Sequence, residues 1–351
     1  MKKILLATTM LTATAGIASA EMSITGTARM GVVSDIVTSF DANGQSVHGY
    51  DAKGNAIGAI EAAFSSRFRV VFTGSGTTDG GLTFGATARA DNSPIGVSFD
   101  SQSQLVAGGG ATGNRWTTAG TVYLAGSFGT LTMGDTGNAA DDLVGQVAYV
   151  GYTSLNSWNE IGNLDRNLTG VEYSYSMNGF TFALGSGQTF NPEASFLDGV
   201  GGLNSTNGAA LYDQNGFWAI GAKYATDVFS VALGYQTSNA GDIVSASGSY
   251  TAAGFTGIVK IADDSRFSET LWALSAQYAM DGGIGLTAYY NHDQDGSPLG
   301  LGTAPDTTAG AAYGFGASYD LGGGASVVGG IAQRDNDGYG SILDVGVQMS
   351  F

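Results

Sequence analysis

The chain has no cysteine, which removes disulfides, zinc–thiolate centres, iron–sulfur clusters and thiol nucleophiles. Histidine is nearly as scarce: only His48 and His292 occur, both in polar stretches that read as loops. No Gly-x-Ser-x-Gly accompanies them, so nucleophilic hydrolysis finds no support, and no glycine cluster leads into Gly-Lys-Ser/Thr, so a P-loop is absent. Four prolines, and 57 glycines without a three-residue period, exclude collagen. Charge is thin, with 12% of residues charged, and the basic side is thinnest: 13 Lys and Arg against 30 Asp and Glu, net −17. Such a balance repels phosphate backbones and argues against nucleic acid as a partner. Beyond residue 20 no apolar run approaches the ~18 residues a membrane helix needs, and glycines and β-formers interrupt every amphipathic helical window.

What remains is 43% hydrophobic and 11% aromatic, too apolar for a disordered chain. Lys2 and Lys3, the apolar stretch 4–17 and Ala18-Ser19-Ala20 form a secretory pattern of basic start, short apolar middle and small-residue cleavage site. Residues 1–20 are therefore expected to be a signal peptide cleaved before Glu21, and 21–351 a single domain.

That domain alternates. In 21–33, Met22, Ile24, Ala28, Met30 and Val32 share one face and Ser23, Thr25, Thr27 and Arg29 the other. The same period of two runs through 64–73, 82–91, 218–224, 229–236, 284–291 and 343–351. Tight turns, the strongest being Asn178-Gly179, separate many of these runs. On the other side of the hairpins the connections are long and polar, as at 34–62, 191–215 and 292–309. Short turns at one end and long loops at the other describe an outer-membrane barrel. Sixteen strands leave about 21 residues for each strand and its connection, and a tilted membrane strand uses about 9–11. The expected fold is all-β: a transmembrane antiparallel β-barrel of about sixteen strands. Small polar residues on one face, Trp116, Trp218 and Trp272 near strand ends, and a last strand closing on Phe351 place the apolar face toward lipid.

An arginine on that face would cost about 2–4 kcal/mol at mid-bilayer, so Arg29, Arg67, Arg69 and Arg89 are expected inside. They are half of the eight arginines and fall within the first three strands. Arg67 and Arg69, ~7 Å apart on one face, repel by about 2 kcal/mol at an effective dielectric near 20 and call for carboxylates nearby. Segment 135–167, without clean alternation, supplies Asp135, Asp141, Asp142, Glu160 and Asp165 against the single Arg166. Folded into the lumen it would set acids against the arginine wall; as an exposed loop its acids would simply be solvated.

The chain resembles the alphaproteobacterial (Rhodobacter-type) general porins along nearly its whole length after the leader. The likeness rests on Ile24-Thr25-Gly26-Thr27-Ala28-Arg29-Met30-Gly31, Ser65-Ser66-Arg67-Phe68-Arg69, Gly81-Leu82-Thr83-Phe84-Gly85-Ala86, and Asp344-Val345-Gly346-Val347 leading to Phe351. It implies a sixteen-stranded barrel assembled as a homotrimer, a third loop inside each lumen, and an eyelet of basic wall residues facing loop acids. On those positions Arg29, Arg67, Arg69 and Arg89 are the wall candidates; Asp135, Asp141, Asp142 and Glu160 are the loop candidates. The stretches 34–62 and 92–115 are insertions relative to the pattern.

The function expected is passive diffusion of small hydrophilic solutes and ions through an outer membrane, with a weak cation preference from the acid excess and no covalent chemistry. The partners would be lipid, lipopolysaccharide and two further copies. A structural or adhesive barrel with a plugged lumen is the second reading. No cofactor is expected. Asp293-Gln294-Asp295-Gly296 and Asp335-Asn336-Asp337-Gly338 mimic the start of a calcium loop without its closing glutamate, leaving weak Ca²⁺ sites on acidic loops open.

Overall fold

The structure is a computed structural model and describes residues 21–36, 62–92, 97–99, 105–107, 116–162, 169–190, 212–238, 241–292, 311–334 and 341–351. Its strands in chain order are β1 (Glu21–Ile36), β2 (Ala63–Thr77), β3 (Thr83–Asn92), β4 (Val97–Phe99), β5 (Leu105–Ala107), β6 (Trp116–Gly126), β7 (Gly129–Gly134), β8 (Thr169–Met177) and β9 (Phe180–Phe190). They continue as β10 (Tyr212–Ala225), β11 (Phe229–Ser238), β12 (Gly241–Ala252), β13 (Phe255–Asp264), β14 (Leu271–Ala279), β15 (Ile284–His292), β16 (Ala312–Gly322), β17 (Ala325–Arg334) and β18 (Ser341–Ser350). Sixteen of them close into one antiparallel barrel; β4 and β5 form a separate two-stranded ribbon in the connection from β3 to β6.

Closure joins the first strand to the last, with Met30 opposite Val347 and Gly31 opposite Gly346. Phe351 exchanges two backbone hydrogen bonds with Gly26 at 2.7 and 3.0 Å, so the seam is paired to the end of the chain and no edge is left. The hairpin between β8 and β9 turns at Asn178 and Gly179, with φ of 52° and 83°, the left-handed pair that matches strand twist. Ala253 and Gly254 repeat it between β12 and β13, with φ of 50° and 79°.

Exposure alternates with the sequence, and the exposed face is the apolar one. Met22 is 75% exposed, Phe64 88% and Leu233 64%, while their strand neighbours point into the barrel. An apolar belt of this extent does not face water; it is the lipid side of a membrane barrel. Trp272 lies next to the start of β14, as expected of a girdle residue. Trp218 differs from expectation in lying inside β10, because that strand runs on before it; the pairing of Trp218 with Thr237, next to the end of β11, still sets it at the rim of that strand pair.

The buried apolar core lies between the inner wall and the segment that follows β7. Tyr152, Leu155, Trp158 and Ile161 pack with Val33, Ile243, Leu271, Tyr289, Ala312, Ala332 and Ile342, and a second cluster joins Ala139 and Ala140 to Ala183, Phe217 and Ala219. Burying a Leu, Ile or Trp side chain is worth about 1.5–3 kcal/mol each, enough to hold the segment against the wall.

Candidate functional site

The segment 135–162 leaves β7 at Asp135, forms the short helix α1 (Ala139–Val144), and passes through a single 3-10 turn at Leu155–Ser157. Asn138 caps α1, its side-chain oxygen accepting from Ala140 N at 3.0 Å and Asp141 N at 3.4 Å, while its amide reaches the inward-facing Gln236 on β11. The next turns are pinned in sequence: Ser247 donates to Val144 O (2.6 Å), and Ser275 accepts from Ala148 N (2.9 Å). Asn291 donates to Trp158 O at 2.8 Å. Gln146 closes the segment on itself, accepting from Ile161 N (3.1 Å) and donating to Ile161 O (3.2 Å). Every wall residue in these contacts is on the inward face.

Arg29, Arg67, Arg69 and Arg89 all lie on inward-facing positions of β1, β2 and β3, half-buried. Arg29 and Arg67 are directly opposite each other in the β1–β2 register, and Arg69 is close enough to repel Arg29. Arg29 donates to Tyr152 O at 3.0 Å, where Gln348 also donates at 3.0 Å. The carboxylate serving this end of the segment is Asp344 of β18, 1% exposed. It accepts from Tyr152 N (3.2 Å), Thr153 N (2.7 Å) and Thr153 Oγ1 (2.6 Å), and attracts Arg29.

The acids of the segment are arranged differently from the expected face-off. Asp141 pairs at 3.2 Å with Lys260 of β13, a lysine 1% exposed, and also accepts from Gln146 Nε2 at 3.1 Å. Glu160 attracts the same lysine. Asp142 lies beside Glu172 of β8, carboxyl to carboxyl. Asp142 keeps part of its surface open to the lumen, but partial burial of its carboxyl, and then the charge of Asp141, pushes it above the ordinary aspartate range. Asp135 is exposed at the segment's entry, its N–H held by Gly120 O at 2.9 Å. The reason for the redistribution is geometric: α1 lies against β9–β12, across the lumen from the arginines, so its acids meet Lys260 and Glu172. Asp142 and Tyr149 are the exposed side chains that this stretch turns to the open lumen.

Asp165, Arg166, His48, and the Asp-rich stretches at 293–296 and 335–338 lie outside the described residues. Among the described residues no group of three or more His, Asp or Glu side chains is arranged to hold a metal ion. Sequence reasoning gave no site role to Lys260, Glu172 or Asp344, although Asp344 opens one of the motifs behind the family resemblance. Lone charges within alternating strands were their signal, since such charges must face inward. The apolar residues of the segment had a signal too: Val144, Val147 and Val150, then Tyr152, Leu155, Trp158 and Ile161, recur at every third position within each set.

A closed barrel with a greasy exterior, a polar interior and an internal segment narrowing it defines a membrane channel protein of the outer-membrane type. The Gram-negative porin family model matches residues 7–339, and the chain belongs to that family. It is 32% identical over 316 residues to a porin of Rhodobacter capsulatus, spanning 82% of this chain and 93% of that protein. In fold it is similar to engineered variants of the Rhodopseudomonas blastica porin. One matches with a TM-score of 0.65 at 19% identity, and another with a TM-score of 0.64 at 20%; both matches cover 94% of this chain and all of theirs. It is an outer-membrane porin; the relatives are channels, not enzymes.

Proposed function

We propose that the barrel passes small hydrophilic solutes and ions down their gradients, filtered by size and weakly favouring cations. The observation that carries this reading is the partition of the wall. Its apolar side chains are exposed outward, and Arg29, Arg67, Arg69, Arg89, Glu172, Lys260 and Asp344, together with segment 135–162, are gathered inside. Fixed charges of both signs around a narrowed bore select by field and diameter. The net charge of −17 supports the cation preference. Purified protein in planar bilayers is expected to open in steps, with reversal potentials in a salt gradient shifted toward the cation value. A silent bilayer would favour the plugged structural barrel, and an anion-directed shift would overturn the selectivity.

The same reading includes export with removal of residues 1–20 and assembly as a homotrimer in lipid and lipopolysaccharide. The exposed tyrosines and tryptophans of the wall support assembly. Tyr173, Trp218, Tyr235, Tyr250, Trp272, Tyr278, Tyr313 and Tyr319 fall on β8–β16, and among the described side chains none lies on β1–β7, β17 or β18. Interfacial aromatics belong where the wall meets headgroups, so the arc lacking them suits contact with neighbouring copies. Chemical cross-linking in native membranes should stop at three copies, and mass spectrometry of the mature protein should begin it at Glu21.

A further inference from the structure

Glycine in the interior of a strand weakens it and contributes nothing to packing, so it needs a reason. Among the cross-strand pairs on the inner wall that put glycine directly opposite glycine, three lie against segment 135–162: Gly221 with Gly234, Gly316 with Gly330, and Gly31 with Gly346. None of the six has a left-handed φ, so backbone conformation does not demand them. Each pair lies beneath a different part of segment 135–162. A Cβ on Gly234 would stand 2.9 Å from Ala140 Cβ and 3.0 Å from Val144 Cγ2; one on Gly221 would stand 2.8 Å from Ala139 O. On Gly330 it would reach Gly151 N at 2.5 Å, and on Gly316 it would meet Val150 Cβ and the adjoining strand's Gly329 O, both at 3.0 Å. On Gly31 and Gly346 it would meet Tyr152 at 2.8 and 3.0 Å, although there the adjoining strand's backbone is at least as close.

We propose that these paired glycines are shelves that set how deeply the segment seats against the wall, and thereby the width of the channel. The inference rests on the diffusion-channel reading and names the wall residues that fix its bore. Ordinary carbon contacts begin near 3.4 Å, so a methyl group at Gly330 or Gly221 meets segment backbone that must retreat into the lumen. The hydrogen bonds and the ion pair of the segment orient it, but they tolerate small shifts; a steric floor does not.

The test compares Gly330→Ala, Gly234→Ala and the control Gly74→Ala, whose new methyl enters open space. A reciprocal swap, Gly234→Ala with Ala140→Gly, moves a methyl from segment to wall. Folded barrel is assayed first by heat-modifiable migration on gels. Single-channel conductance and hydrogen exchange of the segment amides, including Tyr152 and Thr153, are then measured. Lower conductance and faster segment exchange in both single variants, wild-type values for Gly74→Ala, and recovery in the swap support the proposal. Folded single variants with wild-type conductance and exchange overturn it. If Gly234→Ala yields no barrel, the swap decides: a folded barrel with wild-type segment exchange supports the shelf, and anything else overturns it. If wild type itself shows no steps, the diffusion reading fails, and the exchange data still decide whether the glycines seat the segment.

Discussion

Asp141→Asn and Lys260→Met remove the same ion pair from opposite ends, and the structure predicts unequal consequences. Lys260 is 1% exposed, whereas Asp141 keeps 33% of its side chain open to the lumen. Deleting the carboxylate strands an ammonium under the segment. Deleting the ammonium leaves a carboxylate that lumen water reaches and that Gln146 still serves. A stranded buried charge costs about 3–5 kcal/mol. The lysine can avoid the upper end by shedding its proton, since neutralising an ordinary lysine at pH 7 costs about 4–5 kcal/mol. The attraction of Glu160 offsets part of the cost of the stranded ammonium. The net expectation is about 3 kcal/mol for Asp141→Asn and about 1 kcal/mol for Lys260→Met. Both act on seating of the segment rather than on closure of the barrel. A six-residue helix does not hold its own hydrogen bonds off the wall, so exchange of the Asp142 and Gly145 amides, which are bonded to Asn138 O and Asp141 O, reports that equilibrium. Exchange should accelerate about 150-fold for Asp141→Asn and about fivefold for Lys260→Met, at about 1.4 kcal/mol per tenfold. Strand amides should be unchanged. Equal acceleration in the two variants, or a larger one for Lys260→Met, would refute the asymmetry of burial on which the reasoning rests.

Asp344→Ala removes the acceptor for Tyr152 N, Thr153 N and Thr153 Oγ1, each bond to a charged group being worth about 1.5–3 kcal/mol. Exchange at those two amides should rise sharply, and less in Asp344→Asn, which keeps one accepting oxygen; identical effects would contradict the assignment. Asp142 binds its proton more tightly in the folded protein than at its ordinary value of 3.8. Its contribution to seating is therefore complete below that value and is lost as pH climbs through the raised one. Exchange of α1 amides, corrected for intrinsic rates, should quicken with rising pH, and Asp142→Asn should flatten the profile. On the lipid face, Leu233→Arg should destabilise the barrel by about 2–4 kcal/mol, read as a lower denaturant midpoint for folding into vesicles; an unchanged midpoint would place Leu233 away from the membrane centre.

The inward assignment of the four arginines was legible because a strand offers only two faces and lipid forbids one of them to a guanidinium. Once Met22, Phe64 and Leu233 point outward, Arg29 and Arg67 have one direction left. Sequence patterning reached less far within segment 135–162, which has no such two-fold choice. Its acids were visible, but their partners depend on which stretch of wall the segment lies against. Lys260 is 119 residues from Asp141, and Asp344 is 192 from Tyr152. Nothing local to either residue specifies those meetings. The same holds for the paired glycines, which look like ordinary turn or strand glycines until the register sets them side by side under the segment.

Alternation, tight turns and the scarcity of charge determined on their own that this chain is a membrane barrel of about sixteen strands with a polar lumen, because period-two patterning and hydrophobic transfer act residue by residue. Only the tertiary structure decided where the internal segment sits and which charges it meets. Those outcomes follow from barrel closure and strand register, which bring wall positions far apart in sequence onto one inner surface.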